Sequence, residues 1–266
     1  MNPDVWLSAL VKELARHGVG PDLAAHVVAE AAAHLRDSGE PAVHAFGMPE
    51  RYAAAVAESI GRQAVRPSQG GVVRLEARGI TKRYRRRQIL SNVDLTVRAG
   101  QIAAVVGANG SGKSTLLRIC AGLVSPDRGT VRVGGSLGYC PQAGGTSEFL
   151  VPEEHFVLAG AGRGLSRARA KADGRARAAV LDWDPDRRQQ ARFLSGGTRQ
   201  KLNLVMAQIG EPDLLLLDEP YQGFDRGAYV DFWHELWRWR DEGKAIVVVT
   251  HLLNQLDRVD IVLELT

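Results

Sequence analysis

The stretch that most constrains this chain is IAAVVGANGSGKSTLLRICAGL, residues 102–123. A continuous apolar run, a glycine-rich turn and a helical pattern follow one another without a gap. The apolar run reads as a strand buried on both faces. Gly107-Ala108-Asn109-Gly110-Ser111-Gly112-Lys113-Ser114 fits the pattern G-x-x-x-x-G-K-[ST] in the strand–loop–helix setting that gives that pattern meaning. Its glycines let backbone N–H groups turn inward around an anion, and the helix that starts there adds partial positive charge. Lys113 brings a full charge to the β and γ phosphates of a bound nucleotide. The Ser114 hydroxyl is placed to ligate Mg²⁺, with Thr115 following it on the helix.

A second run, LLLLDE (Leu214–Glu219), reads as another buried strand with Asp218 emerging at its carboxyl end. Ligands of open α/β sheets gather along that edge. Asp218 suits the Mg²⁺ shell, and Glu219 suits the orientation or deprotonation of a water. AIVVVTH repeats the arrangement and delivers His251 to the same edge, for contact with the γ-phosphate or the attacking water. Buried strands alternating with helices, as in the helical stretch 227–241, predict a mainly parallel sheet.

The remaining chain divides by composition. Residues 1–65 read as helices, with Trp6, Leu7, Leu10, Val11 and Leu14 at helical spacing. Gly18 and Gly20 stop the first helix, and Pro21 opens a second. The short segment PAVHAF follows, and Pro49 opens a last helix. Residues 66–71 have linker chemistry. Residues 72–266 form the larger domain, with a helix-rich interruption at about 143–190. The four N-terminal histidines (17, 26, 34 and 44) lack ligand spacing. Docking of a partner and passive stabilisation both suit this small module.

Charge and composition limit the alternatives. Hydrophobic residues make up 45% of the 266, enough to fill a core, and the net charge is +4. Residues 1–71 carry 6 basic against 8 acidic side chains, and residues 72–266 carry 28 against 22. The basic excess concentrates in RYRRR (Arg83–Arg87) and in 163–177. Only Tyr84 interleaves an aromatic there, which favours a solvated face over a nucleic-acid surface. Cys120 and Cys140 give neither a disulfide framework nor metal spacing, as in a cytosolic protein. No apolar stretch is long enough to span a membrane, and the N-terminus lacks a secretion signal.

The segment Leu194-Ser-Gly-Gly-Thr-Arg-Gln-Lys201 places a serine and bare backbone at the start of a helix. It resembles the LSGGQ signature of ABC-type ATPases. With the phosphate loop, LLLLDEP and His251 in the same order, residues 72–266 are similar to an ABC ATP-binding domain. The resemblance implies an α/β P-loop NTPase fold: a RecA-like core, a trimmed antiparallel β subdomain and a helical subdomain, here preceded by the small all-α domain. It implies an ATPase with ATP and Mg²⁺, in which two chains (identical or not) sandwich the nucleotides. Ser195, Gly196 and Gly197 would then face the γ-phosphate held by the partner's loop. It also implies that Tyr84 stacks on adenine and that Gln142 in YCPQ reaches Mg²⁺. Asp225 would communicate across the dimer.

A transmembrane permease subunit is the further partner implied, with the chain peripheral on the inner face of the cell membrane; nucleic acid is not expected. Thr198 replaces the usual Gln of the signature, and Phe224 a usual Leu. Lys113 and Gln142 are only 29 residues apart, hence the trimmed β subdomain. The chain ends soon after the histidine strand, without the C-terminal extension of many relatives, which points to an exporter. A nucleic-acid ATPase and a regulatory ATP switch are the rival readings. The N-terminal module, with FGMPERYAAAVAESI, resembles small HAAS-type helical domains. In the helix 227–240, positions 229, 233, 236 and 237 form one stripe, and Trp239 lies off it, free to dock the N-terminal module.

Overall fold

The computed structural model describes residues 2–38, 41–61, 71–85, 87–185, 188–224, 226–250 and 259–265. Their contacts cluster into two units, one of residues 1–67, 103–113 and 250–266, the other of 68–102 and 114–249.

The described residues of the first unit form four helices: α1 (Pro3–Arg16), α2 (Pro21–Ser38), α3 (Ala42–Phe46) and α4 (Pro49–Gly61). Asn2 caps α1, its side chain accepting from the Asp4 N–H at 3.0 Å. Gly18 follows at φ +76°, a backbone conformation glycine takes without steric cost. The segment PAVHAF closes into α3. Its Phe46 stacks on Trp6 with ring centroids 5.3 Å apart, and Tyr52 lies 5.8 Å from the same indole. Trp6 is fully buried and donates its Nε1–H to the Gly47 carbonyl at 2.8 Å, so its polar edge is satisfied. His17 is exposed; the other three N-terminal histidine side chains lie outside the described ones. The same unit holds β3 (Ile102–Gly107, whose first residue falls in the other unit) and β8 (Ile261–Leu265), paired in parallel from Ala103↔Ile261 to Gly107↔Leu265.

In the second unit, β1 (Val73–Tyr84) pairs antiparallel with β2 (Arg87–Arg98) and with β4 (Arg128–Val133), giving a three-stranded sheet β2-β1-β4. Short β4 reflects the short chain available before Gln142. Strands β5 (Leu137–Cys140), β6 (Leu214–Asp218) and β7 (Ala245–Val249) run parallel, and every residue of β6 and β7 is buried. Hydrogen-bond pairing orders these three strands β5-β6-β7. The helices are α5 (Lys113–Cys120), which begins where the two units meet along the chain, α6 (Pro152–Ala161), α7 (Arg167–Val180), α8 (Gly196–Gln208) and α9 (Arg226–Asp241). Arg74 and Asp213 tie the two sheets of this unit at 2.9 Å. Ser136 donates both N–H and hydroxyl to Asp213 at 2.8 Å.

Two sequence expectations change meaning here. The basic stretch 163–177 is largely engaged in ion pairs and hydrogen bonds with neighbouring elements. Lys171 and Arg175 of α7 both pair with Glu153 of α6, a carboxylate only 7% exposed, and Arg177 pairs with Asp173 at 2.8 Å. Trp239 does not stand off the core: it is 2% exposed and meets Phe232 edge-on at 6.4 Å. Seven residues make almost two full helical turns, so positions 232 and 239 share a face with Leu236. The inward stripe is therefore centred on Phe232, and Trp239 is part of it.

Candidate functional site

The phosphate loop is built around a place where only glycine fits. Gly107 has φ +141°, and a Cβ there would stand 2.2 Å from the Leu265 carbonyl oxygen and 2.9 Å from Ser111 Oγ. β8 thus lies directly under the turn, and any side chain would push the loop off it. Lys113, 5% exposed, folds its ammonium back over the loop and donates to the Gly107 carbonyl at 2.7 Å and the Ala108 carbonyl at 3.0 Å. Asn109 and Gly110 are exposed, while Gly112 turns at φ +102°. Ser111 Oγ is buried without a hydrogen-bond partner, which leaves a donor ready for an anion within the turn.

Three residues on, Ser114 Oγ donates to Asp218 Oδ1 at 3.1 Å, with Thr115 next to it on α5. Asp218 is fully buried at the carboxyl end of β6. A hydroxyl and a carboxylate at this separation are two oxygen ligands already convergent for Mg²⁺, which binds through one or two protein oxygens and completes its shell with waters and phosphates. The residues present therefore fit Mg²⁺ carried with a triphosphate.

Glu219, immediately after Asp218, sits at φ +47°, a left-handed conformation costing a non-glycine residue on the order of 1 kcal/mol. Its N–H donates to the Val249 carbonyl at 3.2 Å, which pins the strained turn to the end of β7. Its Oε2 accepts from Gln142 Nε2 at 2.8 Å. The sequence placed Gln142 and Glu219 in separate motifs 77 residues apart; the fold makes them partners. Cys140, two residues before Gln142, is fully buried, and burial followed by the Asp218 charge pushes its thiol far above the usual range.

Tyr84 ends β1 and is 47% exposed, with the Lys82 ammonium 5.6 Å above its ring. Asp127 anchors this hairpin end by accepting from the Arg83 N–H at 2.7 Å and from Lys82 at 3.1 Å. Those two partners, the backbone N–H first, hold its carboxyl below the ordinary aspartate value. Asp127 belongs to no motif that local sequence makes visible.

At the start of α8, Ser195 is the N-cap: its Oγ accepts from the Thr198 N–H at 3.1 Å and lies 2.8 Å from Thr198 Oγ1. The threonine that departs from the signature pattern thus braces the signature serine. Gly197 is required by the chain itself, since a Cβ would meet the Gly223 carbonyl oxygen at 2.2 Å. Gly196 is not: a Cβ there would meet nothing within 4 Å. Bare backbone at an exposed helix N-terminus faces outward, as an anion-binding end does. His251 and Asp225 lie outside the described residues.

Comparison with known proteins agrees with this chemistry. A family model described as ABC transporter matches residues 90–222. The chain is 39% identical over 179 residues to the zinc import ATP-binding protein ZnuC of Roseobacter denitrificans, covering 66% of this chain and 68% of that protein. It is 30% identical over 207 residues to the Nod factor export ATP-binding protein I of Ralstonia nicotianae, covering 73% and 64%. It is 31% identical to the cholesterol transporter ABCA5 of Rattus norvegicus, of which it spans only 13%. Among solved structures, an ATP binding subunit of an ABC transporter superposes with a TM-score of 0.66 at 28% identity, over 72% of this chain and 85% of that one. The dimeric cassette MJ0796 gives 0.67 at 22% identity over 72% and 94%, a likeness of fold.

Proposed function

The chain belongs to the ABC transporter family of ATP-binding proteins, whose members bind ATP with Mg²⁺ and hydrolyse it to power transport, and from that premise we propose that it is the energising subunit of a transporter with a separate membrane-spanning partner. The observation that carries this reading is the Ser114–Asp218 pair, formed one residue beyond a phosphate loop whose lysine and buried serine hydroxyl converge on the turn.

In this reading the amides of residues 107–115 and the Lys113 ammonium bind the phosphates, and Tyr84 stacks on the adenine. Ser114 and Asp218, with Gln142, would hold Mg²⁺, which when bound would supply charge neutralisation for the phosphates. Glu219 accepts a proton from water as the water oxygen bonds to the γ-phosphorus and the bond to the bridging oxygen breaks. His251 contacts the departing phosphate or that water. Ser195, Gly196 and Gly197 of a second ATP-binding chain complete the pocket, identical or different in sequence. Closure of the pair draws the helical subdomains at about 143–190 together and drives the permease at the inner face of the membrane. No described helix is long and apolar enough to cross a membrane, which is why transport is assigned to a partner.

Residues 1–65 are proposed as a helical domain joined by the linker 66–71 to the ATP-binding domain 72–266. Export is the proposed direction, supported by the Nod factor export relative and opposed by the zinc import relative. The deciding test is Glu219→Gln. It is expected to bind ATP normally, to lose at least about 100-fold in turnover, and to trap a closed pair in size-exclusion chromatography. Full turnover in that variant would refute the assignment of Glu219 and with it this mechanism.

A further inference from the structure

The end of the first hairpin carries a charge that the fold leaves idle. Tyr84 closes β1, Arg87 opens β2, and the two are paired directly across the ladder. Directly paired residues project to the same face of a sheet, with Cβ atoms about 4.5–5.5 Å apart. Lys82 shares that face, because alternate residues of a strand do. Its ammonium lies 5.6 Å from the centre of the Tyr84 ring. The Ser125 carbonyl at 2.7 Å and Asp127 at 3.1 Å fix it there. One face of the ring is thus taken by a held cation, which leaves the other for a stacked base. Other arginines of this sheet have partners: Arg74 pairs with Asp213, and Arg78 and Arg132 pair with Glu76. Arg87 is exposed, and among the described residues it makes no hydrogen bond or ion pair. Asp127, the acid at this end of the hairpin, is occupied by Lys82 and the Arg83 N–H.

We infer that Arg87 reads the edge of the base stacked on Tyr84, so that the pocket takes guanine nucleotides, GTP above all, as well as ATP. The inference rests on the stacking role proposed above for Tyr84. An extended arginine is about as long as a tyrosine, so its guanidinium reaches the outer edge of a ring paired with it. The polar edge of a purine stacked on that ring lies within the same reach. A guanidinium carries N–H donors and no acceptor. Guanine presents two adjacent acceptors, O6 and N7, which a guanidinium meets with two parallel N–H groups. Adenine presents N7 beside the N6 amino group, itself a donor, so one of the two bonds is lost. Arg87 therefore adds a contact to guanine that adenine cannot return. A glutamine at the same place has the opposite pattern, one donor and one acceptor, which match adenine N7 and N6.

The test is equilibrium titration of the full chain with ATP and GTP analogues that carry a fluorophore on the ribose, for the unaltered protein, Arg87→Ala and Arg87→Gln. Arg87→Ala is expected to weaken GTP binding about fivefold, the low end for a paired arginine–guanine contact because the site faces water. ATP binding should change by less than about twofold. Arg87→Gln should shift the affinity ratio further toward ATP than Arg87→Ala does. Arg83→Ala removes an exposed charge next to Tyr84 but on the opposite face of the strand, and should leave the ratio where it is. That control separates reading of the base from a general attraction of arginine for phosphate. Equal losses of both nucleotides in Arg87→Ala, or a ratio moved as far by Arg83→Ala, overturn the inference. Tyr84→Ala tells the two readings apart. If it weakens both nucleotides while the Arg87 variants leave the ratio unmoved, only the role of Arg87 is removed. If it weakens neither, the stacking role falls and the inference falls with it.

Discussion

Gly196 and Gly197 are adjacent, chemically identical and differently surrounded, so replacing each by alanine separates the needs of this chain from those of a partner. At Gly197 a Cβ would stand 2.2 Å from the Gly223 carbonyl oxygen, well inside contact distance, and that neighbour is backbone. Overpacking of this kind costs about 1–3 kcal/mol. In a domain of roughly 200 residues each kcal/mol moves Tm by about 2–4 °C, so Gly197→Ala should lower Tm by about 2–12 °C. At Gly196 a Cβ meets nothing within 4 Å, and no positive φ restricts the residue. Alanine is the better helix former by up to about 1 kcal/mol, so Gly196→Ala should leave Tm unchanged or raise it by a few degrees.

If the bare amides of α8 approach a phosphate held by another chain, the added methyl stands in that path. ATPase activity of Gly196→Ala should then fall at least about tenfold, the cost of losing about 1.4 kcal/mol of transition-state contact. Differential scanning fluorimetry and a phosphate-release assay on the same preparations measure both quantities. A Gly196→Ala variant with normal turnover would falsify the assignment of this helix end to a partner's nucleotide. A Tm loss matching that of Gly197→Ala would instead show that the chain needs this glycine for itself.

Two other expectations follow from the geometry. Lys113→Ala removes the ammonium bonded to the Gly107 and Ala108 carbonyls, and should weaken ATP binding at least about tenfold, as read by equilibrium titration with a fluorescent nucleotide; unchanged affinity removes the phosphate-loop assignment. Asp213 accepts the Ser136 N–H and hydroxyl, which hold its carboxyl below the ordinary value. Its folded pKa is the lower one, so the unfolded chain binds the extra proton on acidification. The stabilisation is present above about pH 4 and is lost as pH falls through the folded value. Asp213→Asn should flatten that acid limb of Tm against pH, and an unaltered limb would show that the Ser136 bonds contribute nothing.

Local chemistry wrote much of this protein in plain order along the chain. Consecutive residues decide a phosphate loop: an apolar strand, glycines that admit unusual φ, a lysine and a serine opening a helix. The apolar runs of β6 and β7 and the proline and glycine signals around α1 and α2 are legible for the same reason, because propensity and periodicity act over a few residues. The tertiary structure alone decided which distant groups face one another. Gln142 and Glu219 are 77 residues apart, and nothing in either motif announces a hydrogen bond between them. Gln200 and Asn203 look like polar interruptions of a helix until Pro141 and Gly144 supply their acceptors. Spacing alone puts Trp239 off its helix's stripe, but a stripe is defined by what packs against it, and Phe232 places its centre elsewhere. Hydrogen bonds and close packing depend on ångström-scale separations across chain crossings, which local sequence does not encode.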